Sequence, residues 1–500
     1  MAIILKREPR LDAKHLAFTF QKDAFESVRD LKYAAIFHEQ GLGKSKIAVD
    51  LLLYWLEKKV VDTVLLVAKK GLVANWTREL KSHSYLKPLI LTSDRRRNFF
   101  VFNTPTRLIL THFEAIRGEE QRFKLFLKTR SVGVILDEAT KIKNPEAELT
   151  ESFFRLAPLF IRRVIMTGTP VANRPYDLWA QIYFLDQGTA LGTDFKAFRA
   201  NLDLKNDLTQ DTEAQARFEQ ELAGLNAKIA SFSVRETKTS GVIELPDKII
   251  KTVVTEWEPR QLDLYTQIRD SMSAVVMKGG KLLEDDAEEI LKRLVRLVQI
   301  ASNPMLVDES YKETPGKFDT LYEFVSDIVR VGEKCIVWTT FTENADWLAE
   351  KLRAFGSTKV HGKLSMEQRD RSIELFLKDV ECRVLVATPG AAKEGLTLTV
   401  ANHVFFYDRG FSLDDYLQAQ DRIHRVSQVK TCYVYNLIMR ESIDEWVELL
   451  LQAKRLAAQL AQGDISREYY DSQASYSYGD VIRGILGLNR DDAGRGNQNA

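Results

Sequence analysis

Cysteine is nearly missing from this sequence: three residues in 500, Cys335, Cys382 and Cys432. Each stands in an apolar run of strand character (KCIVWTTF, CRVLVAT, TCYVYNL), without the spacing of a metal site or the density of a disulfide framework. Zinc centres and stapled secreted scaffolds are therefore excluded, and reduced core thiols are expected. Net charge is missing too, because 71 Lys and Arg stand against 70 Asp and Glu. No global field favours an anionic polymer, so such a surface has to be local. Long apolar runs are absent: MAIILKREPRLDAKH is too short and wrongly flanked for a signal peptide, and no later stretch approaches a membrane span. The expectation is a soluble protein with no membrane contact, in the cytoplasm with the nucleoid or in a virus-infected cell, or in the nucleus of a eukaryote.

What is present is 45% hydrophobic residues, enough for two or three domains with sizeable cores. YAAIF, TVLLVA, RLILTHF, VGVILDEA and RRVIMTG read as buried strands alternating with helix-patterned segments, the mark of a parallel sheet covered by helices. From Asp186 to Ser240 the pattern turns charged and helical, without buried-strand runs, and Pro259 to Val307 is helix-rich again. ETPGKFD reads as a linker or turn, after which KCIVWTTF, TKVHG, RVLVATP, HVFFYD and CYVYNLI resume the alternation. The expected division is 1–185 as a first α/β lobe, 186–245 as its helical insertion, 246–316 as the start of a second lobe with another insertion, 317–465 as that lobe, and 466–500 as an extension. Its end, NRDDAGRGNQNA, is polar and reads as disordered. The segment SDRRRN, with Arg95, Arg96 and Arg97, reads as a solvated loop. The apolar positions of Glu441 to Gln462, among them Trp446, Leu449 and Leu456, read as packing on the second lobe.

The chemistry begins at His38-Glu39-Gln40-Gly41-Leu42-Gly43-Lys44-Ser45, between the strand YAAIF and the helix-like SKIAVDLLLYWLEKK. This is the context of a phosphate-binding loop. Backbone N–H groups at a helix N-terminus surround phosphate, Lys44 neutralises it, and Ser45 can hold magnesium. The first glycine of the general pattern is replaced by His38. After strand-helix units of about 30 residues each, VGVILDEA ends in Asp137-Glu138. A carboxylate pair at a strand's C-terminal edge can serve magnesium through Asp137 and orient an attacking water through Glu138.

From about Phe18 to Trp446 these strings resemble the Swi/Snf-type branch of the superfamily two helicase-like ATPases. Phe20-Gln21 looks like the family's adenine-reading glutamine, GLGKS matches its GLGKT, and VAKKGLVANW (Val67 to Trp76) is similar to its motif Ia. LDEATKIKN resembles its DEAH-like box, and MTGTPVANRPYDLW (Met166 to Trp179) its motif III. VRETK with LPDK resembles the junction between lobes. KCIVWTTF, VHGKLSMEQRDRSIELF and VATPGAAKEGLTL look like motif IV, the following segment and motif V, and Gln418 to Gln428 (QAQDRIHRVSQ) resembles motif VI, QAxxRxHRxGQ. Departures are Lys69 for the usual Pro of motif Ia, Thr140 at the end of the DEAH-like box, Ser427 for Gly, and Phe411-Ser412-Leu413 for a Trp-Asn-Pro turn.

The resemblance implies two RecA-like lobes, with ATP and magnesium as cofactors and DNA-dependent ATP hydrolysis. It places Gln21, Gln40, Gly41, Leu42, Gly43, Lys44, Ser45 and Gly395 on the nucleotide. Lys44, Asp137 and Glu138 carry catalysis with Arg422 and Arg425 as arginine fingers, which neutralise γ-phosphate charge only when lobes close. Thr167, Thr169, Gln418 and His424 couple nucleotide state to motion. Carried over position by position, Lys70, Thr111, His112, Thr340, Lys363 and Thr388 fall on DNA phosphates. Double-stranded DNA, read without sequence specificity, is the implied track, with protein partners of unknown identity. A strand-separating DNA or RNA helicase, and a DNA-binding subunit with a vestigial ATPase, stay open as alternatives.

Overall fold

The computed structural model describes residues 5–171, 173–203, 212–278, 281–282, 287–392 and 397–473. Gly395 and the polar tail lie outside the described residues. The chain divides into two units: 1–203 with 217–244 and 460–464, and 204–216 with 245–459 and 465–500.

The first unit is built on β1 (Tyr33–Ile36), β2 (Thr63–Ala68), β3 (Leu89–Ile90), β4 (Leu108–His112), β5 (Val132–Asp137), β6 (Arg162–Met166) and β7 (Ser233–Val234). These form one sheet in the order β3-β4-β2-β5-β6-β1-β7, every pairing parallel. The five expected strands are there as β1, β2, β4, β5 and β6. Their uninterrupted apolar runs are what burial on both faces demands, and β2 and β4 are buried along their whole length. Helices α1 (Thr19–Val28), α2 (Lys44–Glu57), α3 (Val73–His83), α4 (Arg95–Asn103), α5 (Phe113–Gly118), α6 (Glu120–Thr129), α7 (Glu148–Leu156), α8 (Asp177–Asp186), α9 (Phe195–Leu202) and, from residue 217 on, α10 (Thr212–Ile229) complete it. Leu51, Leu52 and Trp55 of α2 pack with Val64, Leu66 and Leu110 in a common core.

The second unit holds β8 (Lys248–Thr255), a short pair β9 (Met277–Lys278) and β10 (Lys281–Leu282), then β11 (Cys335–Trp338), β12 (Ser357–Val360), β13 (Val384–Ala387), β14 (His403–Phe406) and β15 (Cys432–Met439). Its main sheet, in the order β12-β13-β11-β14-β15-β8, is also parallel throughout. The long helix Ile443–Ala461 packs Val447, Leu450 and Leu451 into the core beside Leu294, Leu297 and Ile300, with Trp446 and Leu449 at the margin. All three cysteines are buried and unpaired.

One sequence expectation changes, and some strands go unread. SDRRRN is not a loop: Asp94 accepts from the amides of Arg96 (2.9 Å) and Arg97 (3.3 Å), a helix N-cap that starts α4 at Arg95. Between 186 and 240 there is a strand, β7, two half-buried residues paired with Ala35 and Ile36 of β1. β8 was not legible either, because its lysines and exposed isoleucines break the apolar run although all eight residues pair with β15. Among the described residues no helix is long and apolar enough to cross a membrane.

Candidate active site

Strand register decides which loops meet. Ile36 of β1 and Asp137 of β5 both pair with Met166 of the strand between them, so three C-terminal ends finish level. Beyond those ends lie the glycine-rich loop, Glu138 and the segment from Thr167, at the edge where parallel sheets bind ligands. Thr167 N donates to Ile36 O at 3.2 Å and ties the middle strand to the first.

The loop is left-handed at Gly41 (φ 89) and Gly43 (φ 72). At Gly43 a side chain is excluded twice, by φ and by Gln21 Nε2, which a Cβ would meet at 2.2 Å. Gln21 is buried, donating to Leu42 O (3.2 Å) and accepting from Phe18 N (3.1 Å), so it holds the loop from α1. Lys44 opens α2 and turns its ammonium back onto the carbonyls of His38 (2.8 Å) and Glu39 (3.2 Å). Gly41, Gly43 and Ser45 are half-buried, while Leu42 is buried. His38 is buried, and desolvation, with Lys44 and Arg235 nearby, holds its imidazole down to about 4.

The carboxylates face this loop. Glu138 has φ 55, a left-handed conformation unusual for any residue but glycine. Its Oε1 accepts from Gln40 Nε2 at 2.8 Å, while Oε2 is buried without a hydrogen-bond partner among the described residues. Asp137 Oδ2 accepts from the indole Nε1 of Trp76 at 2.7 Å. Burial pushes the Asp137 carboxyl up to about 6 and Glu138 adds repulsion, with Trp76, Lys44 and Lys69 opposing. A carboxylate so placed gains from a cation beside it, and Ser45 and Asp137 are of the residue types that would hold magnesium.

Motif III packs onto the same loop. A Cβ on Gly168 would meet Gln40 N at 3.0 Å, Thr169 N donates to Thr167 Oγ1 (3.2 Å), and Gln181 Nε2 holds Pro170 O (3.1 Å) from α8. Gln40 thus touches both Glu138 and the motif III turn. Sequence reasoning placed Gln40 only on the nucleotide and gave Trp76 no role. The signal for Trp76 was its place at the end of VAKKGLVANW.

In the second unit, Arg422 and His424 are buried, and Arg425 is half-buried with Nε on Asp421 O (2.9 Å) and Nη1 on Thr397 Oγ1 (3.1 Å). His424 Nε2 lies 2.9 Å from Pro246 O, joining motif VI to the residues before β8. Gln418 is buried and donates to Asp414 Oδ1 (2.8 Å). Gln428, the last residue of the motif, donates to Ala401 O and Ile423 O (both 3.0 Å) and so closes the segment on itself.

The residues carried over as DNA contacts fall into two sets. Lys70, Thr340 and Lys363 are exposed, Lys363 paired with Glu343 at 2.5 Å. Thr111, His112 and Thr388 are buried: Thr111 Oγ1 donates to Leu91 O (3.3 Å), His112 Nδ1 lies 3.1 Å from Glu114 Oε2, and Thr388 N donates to Val360 O (3.0 Å).

Two family models match: the SNF2-related domain over residues 30–306 and the helicase conserved C-terminal domain over 316–427. The chain is 27% identical over 439 residues to an uncharacterized ATP-dependent helicase of Mycoplasma pneumoniae, covering 86% of this chain and 40% of that protein. It is 26% identical over 467 residues to the Zorya protein ZorD of Escherichia coli, covering 84% and 42%. To the chromatin structure-remodeling complex subunit snf21 of Schizosaccharomyces pombe it is 24% identical over 443 residues, covering 81% and 36%. The chain thus spans less than half the length of each of these relatives. Against the Sulfolobus solfataricus SWI2/SNF2 ATPase core in complex with dsDNA, identity is 23%, coverage 97% and 100%, and the TM-score 0.42, too loose a likeness to carry weight.

Proposed function

Because this chain belongs to the SNF2-related family, whose model matches residues 30–306, we propose that it is a DNA-dependent ATPase that moves along double-stranded DNA and displaces or remodels bound proteins. The observation that carries the catalytic half is Glu138, one oxygen fixed by Gln40 and the other without a partner among the described residues, beside Asp137 and the Lys44 loop. In this reading the loop amides and Lys44 hold the phosphates of ATP. Glu138 orients the attacking water and accepts its proton at Oε2, where no donor among the described residues competes. Ser45 and Asp137 would hold magnesium, which supplies charge neutralisation on the phosphates when bound. Arg422 and Arg425 would add positive charge to the γ-phosphate as the transition state forms.

Coupling would start at Gln40, since one side chain touches the water-orienting carboxylate and the turn holding Thr167 and Thr169. Gln418 and His424 would carry the response in the second unit. On the DNA side, exposed Lys70, Thr340 and Lys363 are the first positions to test. Such contacts read phosphate and not base, so the track is sequence-independent and its stimulation weakens with salt.

Steady-state ATP hydrolysis measured without nucleic acid, then with duplex DNA, single-stranded DNA and RNA, tests the whole reading. Duplex DNA is expected to stimulate most. Equal stimulation by single strands removes the duplex track, and absence of hydrolysis under every condition removes the motor.

A further inference from the structure

Away from the sheet edge, α7, α8 and the start of α9 enclose an open groove of ≈ 620 Å³ whose wall is aromatic. Trp179 and Tyr183, one turn apart on α8, stack with ring centroids 4.7 Å apart at 19°. Phe154 of α7 meets Tyr183 edge-on at 4.7 Å, and Phe195 of α9 lies 5.3 Å from Trp179. Beneath this wall the Trp179 indole Nε1 is buried without a hydrogen-bond partner among the described residues.

The rim gives the groove its sign. Glu146, Glu151 and Asp194 line it against one ammonium, Lys196. Glu146, Glu151 and Asp194 are all exposed. Glu151 is tied among the described residues to Arg155 in an exposed pair at 3.3 Å, an interaction of small worth. Asp194 caps α9 through the amides of Lys196 and Ala197, which leaves its negative charge in place. Aromatic faces inside a carboxylate rim suit a cation with an apolar stem, attracted by the ring faces and by the rim charge together. Phosphate is repelled by the same rim, so a nucleic acid is the wrong chemistry here.

We propose that this groove is a docking site for a basic segment of a partner protein, an arginine or lysine side chain lying along Tyr183 and Phe195 with its charge at Glu146 and Glu151. The site is separate from the Lys44 loop and its occupation does not depend on ATP chemistry. Calorimetric titration of the full chain with a peptide of alternating arginine and alanine tests this. One saturable site is expected, with no binding of a glutamate and alanine peptide of equal length. Glu146→Lys with Glu151→Lys weakens binding at least about tenfold and leaves basal ATP turnover unchanged. Tyr183→Leu, which keeps apolar volume but removes the ring face, weakens it about threefold and decides the matter if the charge-reversed protein does not fold. No binding of the arginine peptide, equal binding of the glutamate peptide, or undiminished affinity in either variant overturns the proposal.

Discussion

Each sheet ends a central parallel strand in an acidic residue, Asp137 followed by Glu138 after β5 and Asp408 just beyond β14, but the two places are built in opposite ways. Asp408 is buried and fully engaged: it accepts from Ser302 Oγ (2.7 Å), Thr339 Oγ1 (2.5 Å), Thr340 N (2.6 Å) and Asn344 Nδ2 (3.3 Å). Those donors come from a helix end, the loop after β11 and the next helix, so one carboxylate fastens three segments. Lys317 and Asp444, paired at 2.5 Å and buried, do the same nearby. Glu138, by contrast, sits on a left-handed backbone with Oε2 unpartnered among the described residues, and Asp137 is pushed up to about 6. A buried charge with both oxygens hydrogen-bonded is a fastener, whereas strain and an unused acceptor cost stability and persist where a ligand completes the set.

That contrast is open to breakage, most forcefully at Glu138. Glu138→Gln is expected to lower turnover by about 10³-fold while ATP binding, read by equilibrium titration, stays within about twofold. Turnover near the original rate would mean that the free oxygen does no chemistry. Asp408→Ala should do the reverse, leaving unit 1 able to bind nucleotide while costing unit 2 about 3 kcal/mol from stranded buried donors. Amide hydrogen exchange in β11 and β14 reads this, and unchanged protection there would show that Asp408 fastens nothing. Arg425→Ala is expected to reduce turnover about 10²-fold without loss of nucleotide binding, and a variant with ordinary turnover excludes Arg425 as a finger. The smallest effect is on pH. His38 is held at about 4 by burial, below an unfolded value near 6.5, so the native state binds fewer protons between those values. Its contribution is therefore present above about 6.5 and fades as pH falls through about 4, by about 1–3 kcal/mol. Thermal unfolding of His38→Leu across that window should show a flatter acid limb, and an unchanged limb assigns the loss elsewhere.

Most strands that could be read in advance share one property, the half-buried edge strand in TKVHG (β12) being an exception. TVLLVA, VGVILDEA and HVFFYD belong to strands covered on both faces, so each is an unbroken apolar run. β7 and β8 escaped because edge strands are paired on one side only and tolerate polar or exposed residues. α4 escaped because a run of arginines was read by charge, whereas one aspartate cap decided its backbone.

Local chemistry alone pointed to the glycine-rich loop with Lys44 and to the Asp137-Glu138 pair, because each is a short contiguous string whose backbone and charge do one job, while the order of the motifs came from the family resemblance. Tertiary structure decided the rest. Gln40 meets Glu138 across 98 positions of sequence, and Trp76 meets Asp137 across 61. Such pairs exist only once parallel register has set the ends of β1, β6 and β5 level and laid β2 beside β5. Spacing along a chain carries no information about which distant side chains a sheet will bring within hydrogen-bond reach.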